Sequence, residues 1–160
     1  MSAQDEIAAL EKLEAHIRKG LGERIDDAVI THGELTITVA PEAIRETVAW
    51  LRDDEGCLFK CFIDICGVDY PAREKRFDVV YHFLSLRHNQ RIRIKVMVDA
   101  TTPVPSIIDL FPAANWFERE LAADHALLTE SVGVDELRLG ILSHGEVREN
   151  VAEAFAELIA

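Results

Sequence analysis

Residues 57–99 constrain the fold most, because they contain three consecutive strand patterns joined by short loops. The second pattern, at 77–86, is apolar on both faces, which is typical of a central strand. The loop His88-Asn89-Gln90 is so short that it favours antiparallel pairing with the third pattern. That third pattern alternates, with Ile92, Ile94, Val96 and Val98 on one face and Arg91, Arg93, Lys95 and Asp99 on the other. In the first pattern, alternation places Cys57, Phe59, Cys61, Ile63 and Ile65 together.

Two amphipathic helices are predicted before these strands. Apolar residues recur every three or four positions between Ile7 and Leu21, which indicates a helix that ends near Gly20. Pro41 suits the first turn of the second helix, where its missing N–H costs nothing. The apolar face of this second helix carries Ile44, Val48 and Leu51.

A hairpin lies between the helices, and a short helix follows the strands. Strand patterns at 24–31 and 35–39, joined by His32-Gly33, predict a hairpin with one buried face. After the third strand of the central run we expect a short helix at 106–111, which Pro112 ends.

Helical patterns continue to the C-terminus. Asn115 and Glu118 resemble a capping box that opens one helix, and Ser143 and Glu146 resemble a second. Residues 134–142 fit a strand or a short helix. The fold class predicted from this order is α+β. It comprises an N-terminal helix, a mixed, mainly antiparallel sheet of about five strands with one helix packed on it, and a helical C-terminal segment.

The charge distribution excludes some classes of partner. The net charge is -12, yet residues 57–100 carry eight Lys/Arg against five Asp/Glu. Nucleic-acid binding is not expected, because affinity for phosphates needs clustered cations in a favourable overall field.

No apolar run approaches the roughly 18 residues of a membrane-spanning helix. We see no secretory signal, and three cysteines without one suggest a reducing, cytoplasmic setting.

Candidate catalytic and metal-binding residues are few. The spacing of Cys57, Cys61 and Cys66 fits neither a zinc pair nor an iron–sulfur run, so we predict no metal site. Asp64 and His82 lie in strands and are better explained as paired or hydrogen-bonded groups than as catalysts. No phosphate-binding loop or hydrolase elbow occurs. A Cys–His nucleophilic pair stays open as an alternative, because sequence supplies no geometry for it.

Two groups of residues are candidates for contact with a partner protein. Arg91, Arg93 and Lys95 form either a solvated outer face or a docking strip for an acidic neighbour. A second group mixes aromatic and charged side chains, as interfaces do, although a capped amphipathic helix would explain it too. This group consists of Asn115, Trp116, Phe117, Glu118, Arg119 and Glu120.

Several short motifs in this part of the chain are similar to those of a known family. They are FIDI at 62–65, VDYP at 68–71, RFDVVYH at 76–82, NQRIRIK at 89–95, PS at 105–106, FP at 111–112 and NWFERE at 115–120. Together they resemble the 30 kDa-type family, the C-type subunits of bacterial NADH:quinone oxidoreductase, respiratory complex I. The resemblance covers roughly residues 33–120. It divides the chain into a family-like α+β domain at 1–120 and a divergent helical extension at 121–160.

The resemblance implies a non-catalytic scaffold subunit of the peripheral arm, on the cytoplasmic side of the bacterial inner membrane. Such a protein packs against the D-type subunit, the forty-nine-kilodalton type, near the twenty-kilodalton-type and iron–sulfur subunits. It meets the membrane only through the complex. It binds no cofactor itself, whereas the proton-translocating complex uses FMN, iron–sulfur clusters, NADH and quinone.

The sequence departs from the family pattern after Glu120. The acidic residue expected next falls one place late, at Asp124, and the acidic segment 121–160 lacks the later basic motifs of the family. Two alternatives therefore stand beside the main interpretation. One is the equivalent subunit of a membrane-bound hydrogenase or formate-oxidising complex, and the other is the stand-alone Cys/His enzyme.

Overall fold

The computed structural model describes residues 3–99, 101–125 and 129–130. In this part of the chain the predicted α+β class is confirmed: three helices accompany a five-stranded mixed sheet. The elements in chain order are α1 (Ala3–Leu21), β1 (Ile25–Thr31), β2 (Glu34–Val39), α2 (Ile44–Asp53), β3 (Cys61–Asp69), β4 (Phe77–Ser85), β5 (Gln90–Val98), β6 (Val104–Pro105), α3 (Ala114–His125) and β7 (Thr129–Glu130). No helix among the described residues is long and apolar enough to cross a membrane.

The five strands of the main sheet lie in the order β1-β2-β5-β4-β3. Neighbours pair antiparallel except β2 and β5, which are parallel because α2 and the β3–β4 hairpin intervene between them. The predicted hairpin at His32-Gly33 is confirmed, and both residues adopt positive φ, as a type I′ hairpin turn requires. β6 and β7 form a separate small parallel pair.

The hydrophobic core lies on one face of the sheet, between the strands and the three helices. The predicted apolar set of β5 is buried there, together with the apolar faces of α1 and α2. Phe117 and Leu121 bring α3 against the same core. Its central members are Leu13, Ile17, Leu35, Ile37, Ile44, Leu51, Tyr81, Phe83, Ile92 and Ile94.

The predicted common face for the first strand of the central run is wrong. β3 begins only at Cys61, and a bulge between Phe62 and Asp64 inserts one extra residue. Phe62 therefore lies opposite Phe83 on the core side, while Ile63 is exposed. Cys57, Phe59 and Ile65 are buried as expected, but Cys61 and Ile63 do not join them.

Two predictions near the C-terminus are also corrected. Residues 106–111 form a single turn, in which the Ile107 carbonyl accepts from two later amides, and not a helix. Asn115 lies inside α3 and does not cap it, and the Glu118 carboxylate binds elsewhere. Beyond His125, the predicted helical segment at 121–160, the element at 134–142 and the capping box at 143–146 lie outside the described residues, except for Thr129–Glu130.

Candidate protein-interaction face

Arg91, Arg93 and Lys95 project from β5 on the side of the sheet opposite the core, as alternation predicted. We call this side the open face. None of the three described helices packs on it, because their apolar residues join the core on the other side. The open face comprises Val29, Glu34, Thr36, Thr38, Ile63, Asp64, Cys66, Val68, Asp78, Val80, His82, Arg91, Arg93, Lys95 and Met97.

A hydrogen-bonded chain of side chains crosses four strands of the open face. Arg93 donates to Glu34 Oε2 at 2.6 Å and to His82 Nε2 at 3.0 Å. Because the Nε–H of Arg93 can only donate, Nε2 of His82 is the accepting nitrogen. The other ring nitrogen, Nδ1, lies 2.5 Å from Asp64 Oδ1 and donates to it. The charge of Arg93 is therefore compensated within the chain.

A second cluster buries the carboxylate of Asp78 under two cations. Arg73 donates to Asp78 Oδ1 at 2.6 Å, and Lys95 Nζ lies 3.3 Å from Oδ2 without hydrogen-bond alignment. The Arg73 guanidinium also stacks over the ring of Tyr70, 3.8 Å from its centroid. Asp78 thus pairs with both Arg73 and Lys95, which leaves this cluster with one net positive charge. The pairing with Arg73 also fixes the loop between β3 and β4 over the sheet.

Arg91 differs from the other two cations of the row. It is exposed and forms no ion pair with any residue that the structure describes. It stands at the edge of a cleft of about 220 Å³ that Ile63, His82 and Arg93 also line. Val29 and Val68 are exposed on the same face. The open face thus combines apolar side chains, ion-paired charges and, in Arg91, a cation without an ionic partner among the described residues.

The motif at 115–120 divides between the surface and the core. Trp116 is 68% exposed, and Arg119 and Glu120 are exposed beside it. Phe117 instead packs edge-on against Phe62, with ring centroids 5.4 Å apart, and Glu118 is buried. Asn115, half-buried, carries a buried Oδ1 without a hydrogen-bond partner among the described residues.

Glu118 fastens α3 to the segment that precedes it. Its carboxylate accepts from the Ser106 hydroxyl at 2.5 Å and from the Ile107 amide at 2.8 Å. Burial raises the pKa of this carboxyl above its ordinary value, although both hydrogen bonds oppose the shift. Glu118 therefore holds α3 against residues 106–107. The prediction that it caps the helix, which rested on its spacing from Asn115, was wrong.

The cysteines give little support to a thiolate nucleophile. Cys57 is fully buried, and burial, followed by the nearby Asp54, raises the pKa of its thiol to about 12. Desolvation, with a contribution from Asp64, also raises the pKa of Cys66. A thiol with a raised pKa is protonated at neutral pH and is a weak nucleophile.

Sequence reasoning missed one cluster of possible metal ligands. His16 on α1, Asp54 just after α2, and Cys57 place their donor atoms within 4.8 Å of one another. His16 and Asp54 are 38 positions apart, so no local spacing could have paired them. In the described part of the chain no other three such groups come this close.

Comparison with known proteins assigns the chain to a family. Residues 37–123 match the model of the family described as respiratory-chain NADH dehydrogenase, 30 Kd subunit. The chain belongs to this family. The match confirms the resemblance found from the motifs between 62 and 120, and it leaves α1 and β1 outside the matched region of the 30 kDa subunit family.

Curated relatives give the same result over more of the chain. The C subunit of NADH-quinone oxidoreductase from Methylorubrum populi is 60% identical over 112 residues, which cover 70% of this chain and 51% of that protein. The protein of the same name from Xanthobacter autotrophicus is 51% identical over 136 residues, covering 85% and 64%. The chain thus spans between half and two thirds of the length of these relatives.

A solved structure of another complex shares the fold. A chain of the membrane-bound sulfane sulfur reductase, an archaeal respiratory membrane complex, superposes with a TM-score of 0.64 at 19% sequence identity. The superposition covers 79% of this chain and 72% of that one. At this level of identity the likeness concerns the fold alone.

Proposed function

We propose that this 30 kDa-family chain is a non-catalytic scaffold subunit in the peripheral arm of a proton-translocating NADH:quinone oxidoreductase. The family match and the relatives named as the C subunit of that enzyme support this role. In the proposed assembly FMN, the iron–sulfur clusters, NADH and quinone bind to other subunits. The chain lies on the cytoplasmic side of the inner membrane and reaches it only through its partners.

The observation that best supports the proposal is the composition of the open face, which exposes apolar side chains beside the Arg91, Arg93 and Lys95 row. The solvated face of an antiparallel sheet is typically polar, whereas this one exposes Val29, Ile63 and Val68 beside ion-paired side chains. Val29 lies on one edge strand, β1, and Ile63 and Val68 lie on the other, β3, so the exposed apolar side chains span the width of the face. Protein interfaces combine apolar and polar groups in this way. A stable interface needs roughly 800 Å² from each partner, which a five-stranded face can supply.

The proposed main partner is the D-type subunit, with the twenty-kilodalton-type and iron–sulfur subunits as neighbours. Arg91 is the cation of the row that has no ionic partner among the described residues, so it can pair with an acidic residue of a partner. Trp116 supplies an exposed aromatic anchor on α3, next to Arg119 and Glu120. Aromatic and Arg side chains are the groups that most often dominate interface energetics.

Affinity purification from native membranes tests the assignment. A tagged chain, expressed in its own host from its own locus, should recover the D-type and twenty-kilodalton-type subunits in near-stoichiometric amounts. Recovery of a hydrogenase or formate-oxidising large subunit would instead support the alternative complex. Recovery of no redox subunit, with normal complex I assembly in a deletion strain, would refute a scaffold role.

Charge reversal tests the open face directly. Arg91→Glu should reduce recovery of the D-type subunit about tenfold, because a like charge opposite an acidic partner costs at least about 1.4 kcal/mol. Lys19→Glu makes the same change in charge on an exposed position of α1 and should leave recovery unchanged. Equal effects of both substitutions would show that only net charge matters and that the open face is not the contact.

A further inference from the structure

His16, Asp54 and Cys57 meet on the helix side of the sheet, away from the open face. They come from α1, from the residue after α2 and from the turn that follows. An imidazole nitrogen, a carboxylate oxygen and a thiol sulfur are the three kinds of protein ligand that zinc uses. Their donor atoms all lie within 4.8 Å of one another.

The surrounding backbone and rings orient two of these groups toward each other. Asp54 Oδ1 accepts from the Gly56 amide at 2.9 Å and lies 2.6 Å from His16 Nε2. A Cβ at position 56 would stand 2.6 Å from His16 Nε2, so any larger residue there would displace the imidazole from its present position. The His16 ring also rests against Trp50, with centroids 5.6 Å apart. Such supporting contacts are what hold metal ligands in place.

We propose that His16, Asp54 and Cys57 form a binding site for one zinc-class divalent ion. Zinc bonds of about 2.0–2.3 Å to these atoms require donor separations of roughly 3.3–3.8 Å. The imidazole nitrogen and the carboxylate oxygen, 2.6 Å apart here, therefore move apart by about 0.7 Å when the ion replaces their hydrogen bond. The thiol releases its proton to solvent and binds as thiolate.

Access and coordination number fit a site of this type. The side chain of His16 is 43% exposed, which gives an ion a path from solvent. Three protein ligands leave a fourth tetrahedral position, and a water molecule from the same side completes it. Cys57 is buried at the inner end of the site, so the ion is held between the surface and the core.

The site would join a segment outside the family match to the family core. α1 precedes the matched residues 37–123, whereas Asp54 and Cys57 lie inside them. A bound ion would add a cross-link between α1 and the end of α2. The proposal rests on side-chain geometry alone and is independent of the scaffold role proposed above.

Metal titration of the purified 160-residue chain tests the proposal. After treatment with a chelator and its removal, the reduced protein is titrated with zinc by calorimetry and with cobalt by absorption spectroscopy. We expect one ion per chain with a submicromolar Kd, and a near-ultraviolet thiolate-to-cobalt charge-transfer band. Failure to bind either ion under these conditions overturns the proposal.

Substitutions locate the site. His16→Gln and Asp54→Asn, at partly exposed positions, should each weaken zinc binding at least tenfold, and Cys57→Ser should abolish the cobalt–thiolate band. Cys66→Ser and His32→Asn remove the same kinds of ligand elsewhere and should change nothing. Circular dichroism of each variant checks folding; if Cys57→Ser does not fold, the other two variants decide. Binding that survives His16→Gln, or that is lost in Cys66→Ser, refutes this site.

Discussion

Glu118, a residue of the 115–120 motif, stabilises the fold as a buried hydrogen-bond acceptor. Its side chain is 2% exposed, and it satisfies two donors that would otherwise be unpaired, the Ser106 hydroxyl and the Ile107 amide. Leaving a buried donor unsatisfied costs about 1–3 kcal/mol. We therefore expect Glu118→Ala to lower the free energy of unfolding by about 2–4 kcal/mol, measured by urea denaturation. Glu120→Ala, at an exposed neighbouring position, is the control and should have little effect.

The raised pKa of Glu118 adds a pH dependence with a definite sign. A carboxyl whose folded pKa exceeds its unfolded value binds its proton more tightly in the folded state. Its stabilising contribution is complete below the ordinary Glu pKa of 4.5 and is lost as pH rises through the folded pKa. Glu118→Gln stays neutral and can still bond both partners, so its stability relative to wild type should increase from pH 4.5 upward. A difference that is independent of pH would contradict the assignment.

The contact between α1 and α2 depends on a close approach at Gly20. A Cβ there would lie 2.0 Å from Cζ2 of Trp50, on a ring that packs against the core. Ala is favoured over Gly within a helix by about 1 kcal/mol, but overpacking costs about 1–3 kcal/mol. Because this clash is with a rigid ring, we expect Gly20→Ala to lower the free energy of unfolding by about 1–2 kcal/mol.

A double-mutant cycle separates the clash from helix propensity. In a Trp50→Leu background the ring is gone, so Gly20→Ala should become neutral or stabilising. Urea denaturation of the four proteins gives the coupling energy. A Gly20→Ala effect that is the same in both backgrounds would place its cause within the helix itself.

Local patterns predicted most of the elements but not their long-range contacts. Alternation placed Arg91, Arg93 and Lys95 opposite the core because strand periodicity is a local property. The acids that pair with Arg93 and Lys95 come from β2 and β4, and only the sheet order brings them there. The bulge at Phe62–Asp64 shifts alternation by one residue and has no signal in the sequence. Likewise, the spacing of Asn115 and Glu118 fits a capping box, but the Glu118 carboxylate instead binds the Ser106 hydroxyl and the Ile107 amide.

At the scale of the whole molecule, the two faces of the sheet have different roles. The core face is covered by α1, α2 and α3, whereas none of these three described helices packs on the open face, which is the contact surface proposed above. α1 lies outside the family match, yet it contributes Leu10, Leu13, Ile17 and Leu21 to the core. It is therefore an integral part of the domain and not an appendage to a self-sufficient family core.

Removal of residues 3–21 should consequently abolish folding. Burial of an aliphatic side chain contributes about 1.5–3 kcal/mol, so four of them supply roughly 6–12 kcal/mol, as much as the whole stability of a typical domain. The single change Ile17→Ala should cost about 2–5 kcal/mol, because this residue is completely buried. Ile7→Ala, on the same helix but 45% exposed, should cost less than about 0.5 kcal/mol. Amide dispersion in NMR spectra and cooperative urea unfolding measure the outcome, and a truncated chain that keeps both would show that the sheet and α2 are stable without α1.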